Sequence, residues 1–471
     1  MSQTVLHQRV FVHEDQKRFA EVSGDNNPLH VDPIQARRML FGKPVVHGVH
    51  LLMWALDSFL ATTTDNCRIR SLTASFRKPV FPGEQVTIES MPGTGNSVGL
   101  NITSFGETKA NFEVEFRKTQ TIPSKSHSVN SEVPPPSEPG VLTGNNLPPR
   151  EGSLPLHLPQ DEYRHLFPNL AHRIESAQAS ALLSISRLAG VVFRAIEYEI
   201  QLSDNSSATG SNLDYWVTAF DDRMQRLSIA VESPNLAGTM LAFVRPEPVT
   251  QPTCAELDLL VRKYEFADQD ALVVGASRGL GEVAAKLLAS GGATVTGTFN
   301  LGEDDAARVG EDIKSVGGDI RFVHLDITQA DLAGFIDDNS LEPTHLYYFC
   351  SPKVLDRTGA FSTEILEELF GIYVTHFIQL VDVLARVHLN RAFYPSNVAL
   401  DDTPLSMREY SIAKSAGEVA CISLEKTYPD LRIYKPRLPR ISTDQTASIL
   451  AANSEDAPPL ILKHLQQFSS I

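Results

Sequence analysis

The sequence predicts two fold classes in series. The first is an α+β unit, an antiparallel sheet around a long apolar helix, present twice; the second is an α/β unit on a doubly wound parallel sheet. Three observations predict this. HGVHLLMWALDSFLAT (47–62) is too long and too continuously apolar for a strand and reads as a buried helix. Behind it come CRIRSLTASFRKPV, EQVTIESMP, VGLNITSFGE and KANFEVEFRKTQ, whose β-branched and aromatic residues alternate with polar ones between Gly and Pro-Gly turns. From Asp270 to the end, apolar strands and helical stretches alternate, the pattern of a parallel sheet.

A chain of 471 residues is too long for a single core, and its 42% hydrophobic content is that of a globular protein. No uncharged apolar run approaches the length of a bilayer crossing, so no membrane span is expected. Charged and polar residues interrupt MSQTVLHQRVFVHEDQKRF, unlike a secretory signal, and the terminal QFSSI is no clear address. Cys67, Cys254, Cys350 and Cys421 are scattered, which predicts a reducing, cytoplasmic setting with no disulfide framework and no metal site. The net charge of −16 disfavours nucleic acid or an anionic membrane as partner but permits an anionic small ligand on a local basic patch. A homo-oligomer is expected.

Residues 1–121 form the first unit, opening with the helical stretch HEDQKRFAEVSG. Residues 122–160 are rich in Pro, Ser, Gly and Asn and lose apolar periodicity, which predicts a linker. Residues 161–252 repeat the plan: the helical ESAQASALLSISRLAG, then VFRAIEYEIQL, LDYWVTAFDDRMQRLSIAVES and GTMLAFVRPEPV. The last unit spans 268–471.

The first unit carries SGDNNPLH (23–30). Gly24 permits a sharp turn and Pro28 stops the helix, so Asp25 and His30 can face one small cavity. A carboxylate beside an imidazole suits proton transfer; the bland alternative is an Asx-turn with a surface histidine. HGVH follows at 47–50, and Gly48 would place bare backbone N–H groups at a helix N-terminus, where they can hold negative charge developing on a carbonyl oxygen. The second copy has no counterpart of SGDNNPLH.

The run FAEVSGDNNPLHVDPIQARRMLFGKPVVHGVH resembles the signature of the MaoC-like (R)-specific enoyl-CoA hydratases. The resemblance implies a double hotdog fold whose second copy is catalytically empty. It also implies a site for hydration or dehydration of an acyl thioester carried on CoA or acyl carrier protein. Asp25 and His30 would handle a water and its proton, Asn27 would support them, and the Gly48 amide would polarise the thioester carbonyl. Arg77 and Lys78 either meet the carrier's phosphates or form a solvated basic pair at a strand end.

In the last unit VGASRGLG (274–281) follows an apolar strand and opens a helix. Gly275 makes the turn, and Gly279 and Gly281 allow close approach of a pyrophosphate to the helix N-terminus. Far downstream, Tyr410 and Lys414 in EYSIAK share one helix face, and the lysine's charge is expected to lower the phenol's pKa.

Together these resemble the short-chain dehydrogenase/reductase family, with its Rossmann-type sheet. The resemblance implies cofactor binding by Gly275, Ser277, Arg278, Gly279, Leu280 and Gly281, and adenine contact by Asp326 in HLDIT. Tyr410 would be the proton donor, Lys414 would hold the nicotinamide ribose, and Ser396 would be the catalytic serine, fourteen residues before Tyr410 where the family has thirteen. FCSPK (349–353), Tyr373 and Pro439-Arg440 depart from the family pattern. NADP is expected over NAD: ATVTGTFN ends without an acid for the ribose 2′-hydroxyl, and Arg278 could meet a 2′-phosphate, although Glu303 to Asp305 count against it.

The expected function is bifunctional: reversible hydration between (R)-3-hydroxyacyl and 2-enoyl thioesters, and NADP(H)-dependent interconversion of 3-oxoacyl and 3-hydroxyacyl groups. Two alternatives stay open, a hydratase with an inactive reductase-like module and a non-catalytic acyl-thioester scaffold.

Overall fold

The computed structural model describes residues 4–119, 150–206, 208–354, 361–449 and 452–471. The chain divides into two compact units, the first formed mainly by Met1–Pro246 and the second mainly by Glu247–Ala447 with Ala452–Ile471.

The first unit is a ten-stranded antiparallel sheet. Its strands are β1 Thr4–Val10, β2 Asn66–Phe76, β3 Gln85–Pro92, β4 Ser97–Ser104, β5 Glu107–Thr119, β6 Glu151–Pro155, β7 Ala195–Asn205, β8 Asn212–Asp221, β9 Arg226–Ser233 and β10 Asn235–Val244. The spatial order is β1-β3-β4-β5-β2-β7-β10-β9-β8-β6. Counted from either edge, the order within each half is first, third, fourth, fifth, second. The halves meet at a seam where Ser71 pairs with Ser203 and Leu72 with Leu202.

In each half a helix precedes the seam strand, Gly48–Leu60 in one and Ser176–Arg187 in the other. Apolar residues surround Gly48–Leu60 on nearly every side, so only full burial suits it. Leu52, Met53, Leu56 and Leu60 have no exposed surface, and each contributes about 1.5–3 kcal/mol. Both helices share one core with alternate residues of the strands, such as Val98, Leu100 and Ile102 of β4.

Two expected boundaries are corrected. The linker of 122–160 does not extend to Gln160. Residues 122–149 lie outside the described residues, but Glu151–Pro155 is strand β6, paired with β8, and a helix starts at Gln160. Its proline masked it in the sequence; proline is tolerated here because β6 is an edge strand. The last unit begins before residue 268. The helix Cys254–Asp258, closed by a Thr253/Glu256 capping box, buries Cys254 and Leu257 in that unit's core.

The second unit has β11 Asp270–Val274, β12 Thr294–Phe299, β13 Ile320–His324, β14 His345–Tyr348, β15 Arg391–Phe393, β16 Ser396–Asn397, β17 Arg432–Tyr434 and β18 Arg437–Leu438. Six strands form a parallel sheet in the order β13-β12-β11-β14-β15-β17, and β16 pairs with β18 apart from it. The order reverses between β11 and β14, the switch point where doubly wound sheets bind ligands. The run ALVV explains why β11 is central. Ala271 and Val273 face one core with the helices Gly279–Ser290 and Ala457–Ser469, and Leu272 and Val274 face another with the helix His376–Ala385. The helical run Thr363–Ala385 is long and apolar enough to cross a membrane by composition. Here it is interrupted by a π-turn at Gly371–Thr375, and Phe377, Leu380, Val381 and Leu384 are buried in the second of these cores.

Candidate active sites

The helix His13–Ser23 ends where Gly24 turns left-handed (φ 71°), and its amide closes on the Ala20 carbonyl at 2.8 Å. That turn delivers Asp25 inward, 1% exposed. Pro28 opens the next short helix, Asn27 caps it through the Leu29 amide (3.0 Å), and His30 follows one turn later, 7% exposed. The surface-histidine alternative is therefore excluded.

The Asp25 carboxylate accepts from Ser186 Oγ (2.8 Å) and from the Asn27 amide (3.3 Å). Burial pushes its pKa up to about 6, against the pull of those two bonds and of Arg245. His30 Nδ1 lies 2.8 Å from the Val45 carbonyl, which can only accept. The proton therefore sits on Nδ1, and Nε2 carries the lone pair. Burial holds His30 down at about 3. Near neutrality the pair is thus an anionic acceptor beside a neutral one.

His47 stacks on His30, ring centroids 3.8 Å apart at 22°. Two carbonyl oxygens face its ring, Gln16 Oε1 at Nδ1 (3.0 Å) and the Asp25 backbone oxygen at Nε2 (3.1 Å). Burial keeps the ring neutral, so it can donate to only one of them. One ligand-type atom from each of Asp25, His30 and His47 lies within 4.8 Å of the other two. The stacking nevertheless disfavours a metal, because lone pairs in nearly parallel ring planes cannot converge on one ion. Gly48 opens the central helix, whose first amides have no intrahelical acceptor. A Cβ there would meet the Phe76 ring at 3.1 Å.

The sequence pattern gives no role to Ser186, Gly190, Arg245 or His47. The first three come from the second half of the sheet unit, which has no counterpart of SGDNNPLH. The helix Ser176–Arg187 runs into a π-turn at Leu188–Val192, a distortion frequent at functional sites. The Gly190 carbonyl accepts from Asn27 Nδ2 (2.8 Å), and a Cβ on Gly190 would lie 2.1 Å from Asp25 Oδ1. Arg245 donates to Asn27 Oδ1 (3.0 Å). The only sequence signal was the cluster of Ser and Gly in an otherwise apolar helix. Lys78 Nζ lies 2.8 Å from Glu107, so its charge is already paired.

In the second unit the glycine turn has the expected form. Gly275 (φ 82°) and Gly279 (φ 60°) are left-handed, and a Cβ on Gly281 would fall 2.1 Å from the Gly275 carbonyl. This cradle fits a dinucleotide pyrophosphate. Ser277 is buried in it, Leu280 packs against the core behind it, and Arg278 pairs with Asp444 at 2.8 Å. Asp326 Oδ1 accepts from the Thr328 amide (3.0 Å) and hydroxyl (2.7 Å), which fixes the turn after β13.

Tyr410 and Lys414 share a face of the helix Arg408–Thr427, both buried. The Ser396 hydroxyl donates to Glu418 at 2.5 Å. One expectation is corrected here: the phenol's pKa is not lowered. Burial raises it, with the side chain of Asn397 opposing. Lys414 donates to the Pro395 carbonyl (2.7 Å) and lies 4.0 Å from the Tyr373 ring centroid and 4.7 Å from that of Tyr394. Burial lowers it to about 7. Tyr373 lies in the second π-turn with its hydroxyl 2.6 Å from Ser351 Oγ, and Tyr394 donates to its carbonyl at 3.0 Å.

Comparison with known proteins matches residues 2–108 to the family described as MaoC like domain, and residues 269–334 to the short chain dehydrogenase family. The (R)-specific enoyl-CoA hydratase of Aeromonas caviae is 40% identical over 73 residues, 15% of this chain and 54% of that one. The mitochondrial 3-hydroxyacyl-[acyl-carrier-protein] dehydratase of Arabidopsis thaliana is 34% identical over 108 residues, 23% of this chain and 58% of that one. The peroxisomal multifunctional enzyme type 2 of Drosophila melanogaster is 35% identical over 78 residues, 16% and 13%. The chain thus spans less than two thirds of the length of each of these relatives. Among solved structures, a short-chain dehydrogenase/reductase from Serratia marcescens is 18% identical, with 43% of this chain and 91% of that chain covered and a TM-score of 0.40. One polypeptide therefore carries a MaoC-like domain over residues 2–108 and a short-chain dehydrogenase segment over residues 269–334.

Proposed function

We propose that the chain is a bifunctional acyl-thioester enzyme, interconverting 2-enoyl and (R)-3-hydroxyacyl thioesters at Asp25 and His30, and 3-hydroxyacyl and 3-oxoacyl groups at Tyr410. The observation that carries the reading is the buried pairing of an ionised Asp25 with a neutral His30 whose Nε2 lone pair is free of the Val45 bond. In this reading a water donates one hydrogen to each. Its oxygen adds to C3 as one acceptor takes the proton. The π electrons pass through C2 to the thioester oxygen, held by the Gly48 amide, and the proton returns at C2. Dehydration is the reverse. The mirrored strand order supports a double hotdog, and the lack of a counterpart of SGDNNPLH in 161–252 supports an empty second copy that supplies the wall of the first site.

For the second unit we propose NADP(H), on the cradle and on a β12 end without an acid. A bound nicotinamide supplies hydride to the 3-oxo carbon. Tyr410 gives the oxygen its proton, Asn397 holds the Tyr410 hydroxyl, and Asp326 borders the adenine side. The carrier is CoA or acyl carrier protein, as the relatives' names suggest. Asn397 and Tyr373 at the Tyr410 site favour a second reading, a hydratase with a silent reductase-like unit.

Incubation with crotonyl-CoA should consume the enoyl absorbance, and no turnover would leave only the scaffold. With 3-oxoacyl thioesters, NADPH oxidation is expected and should disappear in Tyr410→Phe while hydration persists. No NADPH binding at millimolar cofactor would retire the reductase half. We also propose a homo-oligomer, since Ile412, Val419 and Ile422 leave an apolar stripe on the helix Arg408–Thr427; light scattering at the mass of one chain would refute it. The four free thiols support a reducing compartment, cytosol or peroxisome, which imaging of the tagged chain distinguishes.

A further inference from the structure

The 443–446 segment lies over the glycine turn. Thr443 caps a short 3-10 turn, Asp444–Thr446, that is pinned on three sides. Asp444 Oδ2 pairs with Arg278 Nη1 at 2.8 Å, its carbonyl accepts from Lys353 Nζ at 3.1 Å, and Gln445 donates to the Ser351 carbonyl at 3.1 Å. The Asp444 side chain is 2% exposed. A Cβ built on Gly279 would meet one neighbour within 4 Å, Asp444 Oδ1 at 3.9 Å. Gly279 opens the helix Gly279–Ser290, whose N-terminal dipole attracts an anion. The carboxylate thus stands at the helix N-terminus where a pyrophosphate is expected, and it holds Arg278, the residue expected to meet a 2′-phosphate.

We infer that Asp444 sets the dinucleotide affinity of this unit: its carboxylate competes with the cofactor's phosphates for the helix N-terminus and for Arg278. The inference rests on the nicotinamide reading of the glycine turn. A carboxylate and a pyrophosphate cannot share that position without repulsion, because like charges a few ångströms apart in a partly buried site are weakly screened. Binding therefore requires the turn to release Asp444, and the release lowers the affinity. NADPH gains more from the release than NADH, because only NADPH carries a 2′-phosphate for the freed Arg278.

Asp444→Asn removes the charge and keeps the shape. In the full-length protein, fluorescence titration should show NADPH bound at least tenfold more tightly by Asp444→Asn than by the natural sequence, with a smaller gain for NADH. Asp444→Ala, which also lacks the charge, should shift affinity in the same direction if the asparagine variant folds poorly. If both dinucleotides bind the natural protein and neither variant tightens them, the inference falls and the cofactor reading stands. If no form of the protein binds either dinucleotide, both fall.

Discussion

Replacing Asp25 by Asn should lower hydration of a 2-enoyl thioester by about a hundredfold or more, and His30→Ala should do the same, because each removes one of two acceptors that share a water. Asparagine keeps the outline of Asp25 and can still accept from Ser186, so its fold should be intact by circular dichroism. His30→Ala also strips the Val45 carbonyl of its donor, at a stability cost of about 1–3 kcal/mol, and needs that control more. In the natural protein hydration should fall as pH drops through about 6, where Asp25 takes up a proton. Ser186 donates to the charged form and so lowers the Asp25 pKa. Ser186→Ala should therefore move the acid limb of the pH–rate profile upward. A limb that stays in place would mean that Asp25 is not the titrating base, and a near-normal rate in Asp25→Asn would reduce the loop to a helix cap.

Gly190→Ala should be about as damaging as Asp25→Asn, although it lies in the half that has no counterpart of SGDNNPLH. The added methyl would sit 2.1 Å from Asp25 Oδ1 and 2.5 Å from Oδ2, so the carboxylate or the π-turn has to move. Displacing Asp25 breaks its bond from Ser186 and its alignment with His30. A misplacement of about 1 Å can cost a hundredfold in rate. Steady-state hydration kinetics on the folded variant measure this. An unchanged kcat would show that the second half's wall is not required for the geometry.

Asp25, Asn27, His30, Gly48 and the glycine turn were legible because each motif is local, its chemistry and its backbone requirement lying in a few consecutive residues. Ser186, Gly190 and Arg245 were not, because they reach Asp25 or Asn27 across more than 150 residues of chain, through a seam that no short pattern encodes. Ser396, fourteen residues before Tyr410, donates to Glu418, and it is Asn397, thirteen before it, whose side chain bears on the Tyr410 pKa; in a strand a one-residue offset reverses the side to which a side chain points. The expected lowering of the phenol pKa failed because the burial of Tyr410 raises it, and a sequence pattern does not show burial.

The sheet's mirrored order has a consequence for how the chain can change. Two identical subunits sharing such a sheet would be bound by symmetry: any residue lining one site as a wall would have to appear in the other copy as well, whatever its neighbours there required. Here the two halves are covalently joined and need not be alike. The first central helix ends at Leu60 with an ordinary cap, while the second runs on into the π-turn that presents Gly190. Each position is therefore free to specialise, at the expense of redundancy. The chain has a single copy of Asp25 and a single copy of the glycine it rests against, so damage to either half should silence the proposed hydration site.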